Sequence, residues 1–174
     1  MKFIHFAMTN PVYKYINGVP IFVYFKAISQ GISIDPFAKE NFEIENKNCQ
    51  FLDKQNEEIE EALKAGDYRK ALFHIEQSLN VCSASKRLKV KKAECLAYLG
   101  RYAEAQNIAN DLLRSDGTNA DAMFVRGLCL YYEDFVEKAF SHFQQVLRLA
   151  PDHQRAKDTY KVTIRLFSAH YNTS

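Results

Sequence analysis

The sequence predicts an all-α solenoid of three helix-turn-helix repeats closed by one C-terminal capping helix. Three observations carry that prediction. The 34-residue segments 51–84, 85–118 and 119–152 align without gaps, and a period of that length marks stacked supersecondary units. Ala71, Ala105 and Ala139 recur at the same period, where a hairpin's second helix crosses its first too closely for a larger side chain. Within a unit the apolar residues keep helical spacing, as in Ala71, Leu72, Ile75 and Leu79.

Residues 1–50 stand apart. Pro11, Pro20 and Pro36 with Gly18 and Gly31 break any helical period. The stretch GVPIFVYF reads as a short strand, but no second strand with clear alternation follows, and 35–48 reads as a polar linker. The region is expected to be poorly ordered or loosely packed. An apolar arm lying in the solenoid groove as an internal ligand remains an alternative.

The repeats follow over residues 51–168. Gly66 and Gly100 stand one period apart, just ahead of Tyr68 and Tyr102, where glycine closes a first helix and the ring packs the turn. The third repeat carries Asp134 and Val136 instead, which makes its turn less typical. Leu79, Leu113 and Leu147 recur at the ends of the second helices, and Pro151 stops the last. A stack leaves its final apolar face uncovered. Ala156, Tyr160, Ile164 and Phe167, spaced helically after Asp152 as an N-cap, predict a covering helix over 153–168. Residues 169–174 form a tail.

The period and the Gly-Tyr-Ala pattern resemble the tetratricopeptide repeat. That resemblance implies a concave face lined by the first helix of each repeat, and its positions can be read in register. Repeat one offers Asp53, Asn56, Glu57, Glu60 and Lys64. Repeat two offers Arg87, Val90, Lys91, Glu94 and Tyr98, and repeat three Asp121, Phe124, Val125, Leu128 and Tyr132. As a peptide-binding groove we single out Arg87 and Lys91 as cationic donors, with Tyr98, Phe124, Leu128 and Tyr132 as apolar walls. The run SKRLKVKK places five positive charges between Lys86 and Lys92. Pairing with the acidic helix before it is the preferred account, and a cradle for an acidic peptide is the sharper one.

Other chemistries find little support. A formal charge of +2 over 174 residues gives no overall field toward nucleic acid or an anionic membrane. Four scattered cysteines without a C-x-x-C pair read as reduced thiols in a cytosolic setting. No apolar run approaches the roughly 20 residues a membrane helix needs. The six glycines form no phosphate loop. His74 and His142 sit two periods apart, too far along a solenoid to share a ligand, and His153 and His170 have no acid or thiol partner at useful spacing. Cys95 and Cys129 recur in a small-residue slot, which points to core packing. No catalysis, no cofactor and no metal is expected, and nucleic-acid binding through SKRLKVKK ranks last.

Three strings go beyond a generic repeat: KAECLAYLGRYAEAQ, TNADAMFVRGLCLYYED and EKAFSHFQQVLRLAPDH. They resemble the middle repeats of the DnaJ homologue subfamily C member seven family, also called the tetratricopeptide repeat protein 2 family, across about 51–157. The resemblance implies a cytoplasmic co-chaperone, with the nucleus open as a second compartment. Its implied partners are the 70 and 90 kDa heat-shock chaperones or their clients. Two departures qualify this. The family's J domain carries His-Pro-Asp, which does not occur in this sequence, where Pro151-Asp152-His153 is a different order. The two-carboxylate clamp that grips a chaperone tail ending in Glu-Glu-Val-Asp has no match at Asn56, Glu60, Lys91, Asp121 or Val125. The expectation is a scaffold without J-domain activity whose repeats do not hold that tail. An adaptor in an unrelated multiprotein assembly is the alternative.

Overall fold

The computed structural model describes the backbone at residues 15–16, 19–20 and 36–171 and the side chains of 43–165. The chain divides into two compact units, residues 1–57 and 58–174.

In the first unit, β1 (Tyr15–Ile16) pairs antiparallel with β2 (Val19–Pro20). Of the strand expected in GVPIFVYF, Val19–Pro20 is within the described residues and is paired, and its partner precedes it. The rest of the expected arm lies outside the described residues. Helix α1 (Pro36–Lys64) corrects the reading of 35–48 as a linker and moves the helical start from 51 back to 36. Pro36, which would break a helix from inside, opens this one, where its fixed φ fits and its missing N–H costs nothing.

Six helices follow: α2 (Tyr68–Val81), α3 (Lys86–Tyr98), α4 (Tyr102–Ser115), α5 (Ala120–Tyr132), α6 (Val136–Leu149) and α7 (Gln154–Tyr171). They make antiparallel hairpins with the end of α1, and α7 packs on α6 through the stacked rings of Phe140 and Tyr160, 5.0 Å apart.

The 34-residue period reappears as a period of backbone hydrogen bonds. Inside each hairpin turn, the N–H of Asp67, Arg101 and Phe135 donates to the carbonyl of Ala62, Leu96 and Leu130, at 2.9, 2.9 and 2.8 Å. This closure puts one residue in the left-handed region. Gly66 (φ 72°) and Gly100 (φ 77°) take it at little cost, and Asp134 (φ 66°) holds the same place in the third hairpin. The less typical turn is therefore the same turn, with the strain borne by an aspartate.

Between hairpins, the next helix is capped by the side chain one period on. Ser85 accepts from the Leu88 N–H at 3.4 Å, Asn119 from Ala122 at 2.9 Å, and the His153 ring from Ala156 at 3.0 Å. The N-cap of α7 is thus His153 rather than Asp152.

The core runs along the stack. Ala71, Ala105 and Ala139 are fully buried, as are Ile59, Ile75, Phe143 and Val146, and each large side chain removed from water contributes roughly 2 kcal/mol. Cys95 and Cys129 are buried thiols, and Thr163 continues their slot into α7. On α7 the expected stripe holds at Ala156 and Tyr160, which pack on the core, and passes to Thr163 in place of the exposed Ile164. Phe167 lies outside the described side chains.

Candidate peptide-binding cleft

A cleft of about 810 Å³ opens along the first helices of the hairpins. The end of α1 supplies Glu60, Leu63 and Lys64, and Tyr68 begins α2 beside them. Helix α3 supplies most of the wall, through Lys86, Arg87, Val90, Lys91, Glu94 and Tyr98. Asn119 and Asp121 at the start of α5 and Arg155 of α7 complete it.

Ion pairs order its polar side. Lys91 hydrogen-bonds Glu60, and Arg87 approaches the same carboxylate at 3.6 Å. The hydrogen bond from Lys91 holds the Glu60 carboxyl below the usual carboxylate range, outweighing partial burial. Arg155 hydrogen-bonds the buried Glu94 and reaches Asp121 at 3.3 Å. His153 adds a contact to Asp121 at 3.1 Å. Because its Nδ1 accepts the Ala156 N–H, the ring proton sits on Nε2 and is donated to the carboxylate. That bond keeps Asp121 ionised to lower pH than an ordinary aspartate. His153 therefore has the acid partner that sequence spacing did not show, because Asp121 is one hairpin away.

Stacked tyrosines form the apolar side. Tyr68 and Tyr98 lie face to face at 4.3 Å, Tyr132 meets Tyr98 edge-on at 6.0 Å, and Tyr102 lies parallel to Tyr132 at 6.3 Å. The turn tyrosines thus each stack on a ring of the next first helix. Burial pushes the Tyr98 and Tyr132 hydroxyls up, so both rings stay neutral.

Of the six groove residues singled out above, Arg87, Lys91 and Tyr98 line this cleft; Tyr132 does not line it but touches the Tyr98 ring and is 44% exposed. Phe124 and Leu128 do not line it. They are 1% and 2% exposed; Phe124 packs on the Phe143 ring of α6 at 5.7 Å, with the His153 ring at 5.0 Å and the Arg155 guanidinium at 5.4 Å. Asp53, Asn56 and Glu57 fall in the first unit. Leu63, Tyr68, Lys86 and Asn119 also line the cleft without having been read as groove positions, and so does Arg155. Arg155 was legible as the continuation of the series Asp53, Arg87, Asp121, Arg155, each 34 residues from the last.

The basic run is largely answered by neighbouring acids, with Arg87 and Lys91 on Glu60 and Lys92 on Glu76 at 2.8 Å. Cys95 and Cys129 are packed in the core, and burial pushes both thiols up to about 12. His74 approaches Glu58 at 3.9 Å. The buried Nδ1 of His142 has no partner, and burial pushes this ring's pKa down. Among the described residues, no three His, Cys, Asp or Glu side chains converge as a metal site, and no helix is long and apolar enough to cross a membrane.

Comparison with known proteins finds no matching family model. Human DnaJ homolog subfamily C member 7 is 51% identical over 112 residues, covering 64% of this chain and 23% of that protein. Its mouse counterpart is 59% identical over 90 residues, covering 52% and 18%. The chain thus spans about a quarter or less of these relatives. Among solved structures, the tetratricopeptide-repeat domain of P58(IPK) superposes with a TM-score of 0.62 at 19% identity, over 75% of this chain and 37% of that one. The second such domain of human RPAP3, solved in complex with the HSP70 peptide SGPTIEEVD, gives 0.51 at 19% identity, over 67% and 97%. At these identities the likeness establishes the fold: the hairpins are tetratricopeptide repeats.

Proposed function

We propose that this tetratricopeptide-repeat array is a protein–protein interaction scaffold of co-chaperone type, which binds 70 and 90 kDa heat-shock chaperones or their clients through its cleft and catalyses nothing. Similarity to DnaJ homolog subfamily C member 7 supports that partner class. The RPAP3 domain, solved in complex with an HSP70 peptide, supports a chaperone-type partner for an array of this fold, although that peptide ends in the tail for which this chain lacks the clamp residues. The observation that carries the reading is the cleft itself, where five cations and three carboxylates from successive first helices surround Tyr98, Val90 and Leu63. Charged groups placed on rigid helices around an apolar floor recognise a peptide through side-chain pairing and exclude water from one anchor. The setting that goes with this reading is the cytoplasm, with the nucleus as a second compartment.

Binding of the purified chain to purified 70 and 90 kDa chaperones by interferometry tests this. Saturable binding that weakens about tenfold in Arg87→Glu, with unchanged helical circular dichroism, is the expected result. No binding to either chaperone by a fully helical protein would move the assignment to an adaptor in an unrelated assembly.

A further inference from the structure

The cleft's central cations are already matched by acids of the same chain. Lys91 is engaged by Glu60, and Arg155 by Glu94 and Asp121. A ligand carboxylate driven into the middle of the cleft meets those three acids at close range. At the rim the balance reverses. Lys64, Lys86 and Arg87 are exposed there, with Glu60 as the neighbouring acid, and the Arg87 side chain is 72% exposed. Val90 and Tyr98 line the same cleft. A chain-terminal carboxylate concentrates its charge at one point and needs converging donors, whereas cations spread along a rim suit acidic side chains spaced along a strand.

We infer that the cleft recognises an internal acidic segment of its partner, extended, with side-chain carboxylates on Lys64, Lys86 and Arg87 and an intervening apolar side chain against Tyr98. Glu60 is the specificity-determining residue, an internal competitor for the same cations. This rests on reading the cleft as a partner-binding site. Glu60 is ionised at neutral pH, since its pKa is lowered by Lys91, so every acidic ligand must displace or outbid it.

The test is fluorescence anisotropy of the full chain with a labelled peptide in which Asp and Glu alternate with Leu and Phe. It is made with an amidated C-terminus, with a free one, and with every acid changed to its amide. The amidated and free forms should bind within about twofold of each other, and the all-amide form about tenfold or more weaker. Glu60→Gln should tighten binding about threefold or more, Arg87→Glu should lose about tenfold, and Arg87→Lys should recover most of that loss. Preference for the free carboxylate beyond about fivefold, or weaker binding by Glu60→Gln at an unchanged melting temperature, overturns the inference. Failure of all peptides while purified chaperones bind overturns it and leaves the chaperone reading standing. Acidic-peptide binding without chaperone binding supports it and removes that reading instead.

Discussion

Arg155 lies one 34-residue period beyond Asp121, and its Nη2 stands 3.3 Å from the Asp121 Oδ1 while its other nitrogen holds Glu94. Helix α7 therefore closes the array by charge as well as by apolar contact, and it places a cation in the groove that the third repeat does not supply itself.

Removing that cation should cost more than a surface ion pair. Glu94 is 8% exposed, so Arg155→Ala leaves a buried carboxylate without its main partner. The loss should be about 2 kcal/mol, below the figure for a fully buried pair because Arg155 is about half exposed. Adding Glu94→Gln should restore part of it. Urea unfolding of the wild type, both single variants and the double variant measures the coupling directly.

Acid should weaken the same junction. The hydrogen bond from His153 lowers the Asp121 pKa more than burial raises it. A group whose pKa is depressed by folding contributes fully above its unfolded value, here near 3.8, and loses that contribution as pH falls through the folded value. The stability gap between wild type and Asp121→Asn should therefore stay constant above about pH 4 and close below it. Urea midpoints measured across that range decide it, and a gap that persists to low pH would show that Asp121 acts by packing alone.

The third hairpin turn should be improvable. Asp134 holds a left-handed conformation that glycine holds in the other two turns. Asp134→Gly should raise stability by up to about 1 kcal/mol, and Gly100→Ala should lower it by about 1 kcal/mol. At Gly100 an added Cβ would find nothing closer than the Tyr102 hydroxyl at 4.0 Å, so the effect there isolates backbone strain. Thermal midpoints of the two variants supply the comparison.

The repeat frame was legible because packing imposes it on composition. The small residues at 71, 105 and 139 are fully buried, and the residues at 66, 100 and 134 all hold a positive φ. The start of α1 was not legible, because Pro36 carries opposite meanings inside a helix and at its first position, and spacing alone does not choose between them. The groove was half legible. A periodic reading assigns Val90 and Phe124 the same place, and both are buried, but Val90 still borders the cleft whereas the face of Phe124 is taken by His153 and Arg155. The Asp121–His153 contact was hidden for a different reason: it joins residues 32 apart, nearly a full repeat, where a search for nearby metal or acid partners does not look.

The tyrosine stack gives the molecule an optical property. The chain has ten tyrosines and no tryptophan, so its near-ultraviolet dichroism comes chiefly from phenol rings, and the ring pairs Tyr68–Tyr98 and Tyr102–Tyr132 are held at fixed angles to each other. Ordered, coupled chromophores give a signed band that free tyrosines lack. Because Tyr68 and Tyr98 also line the cleft, that band reports on the groove without any label, and its change on titration would register a ligand at the very surface that receives it.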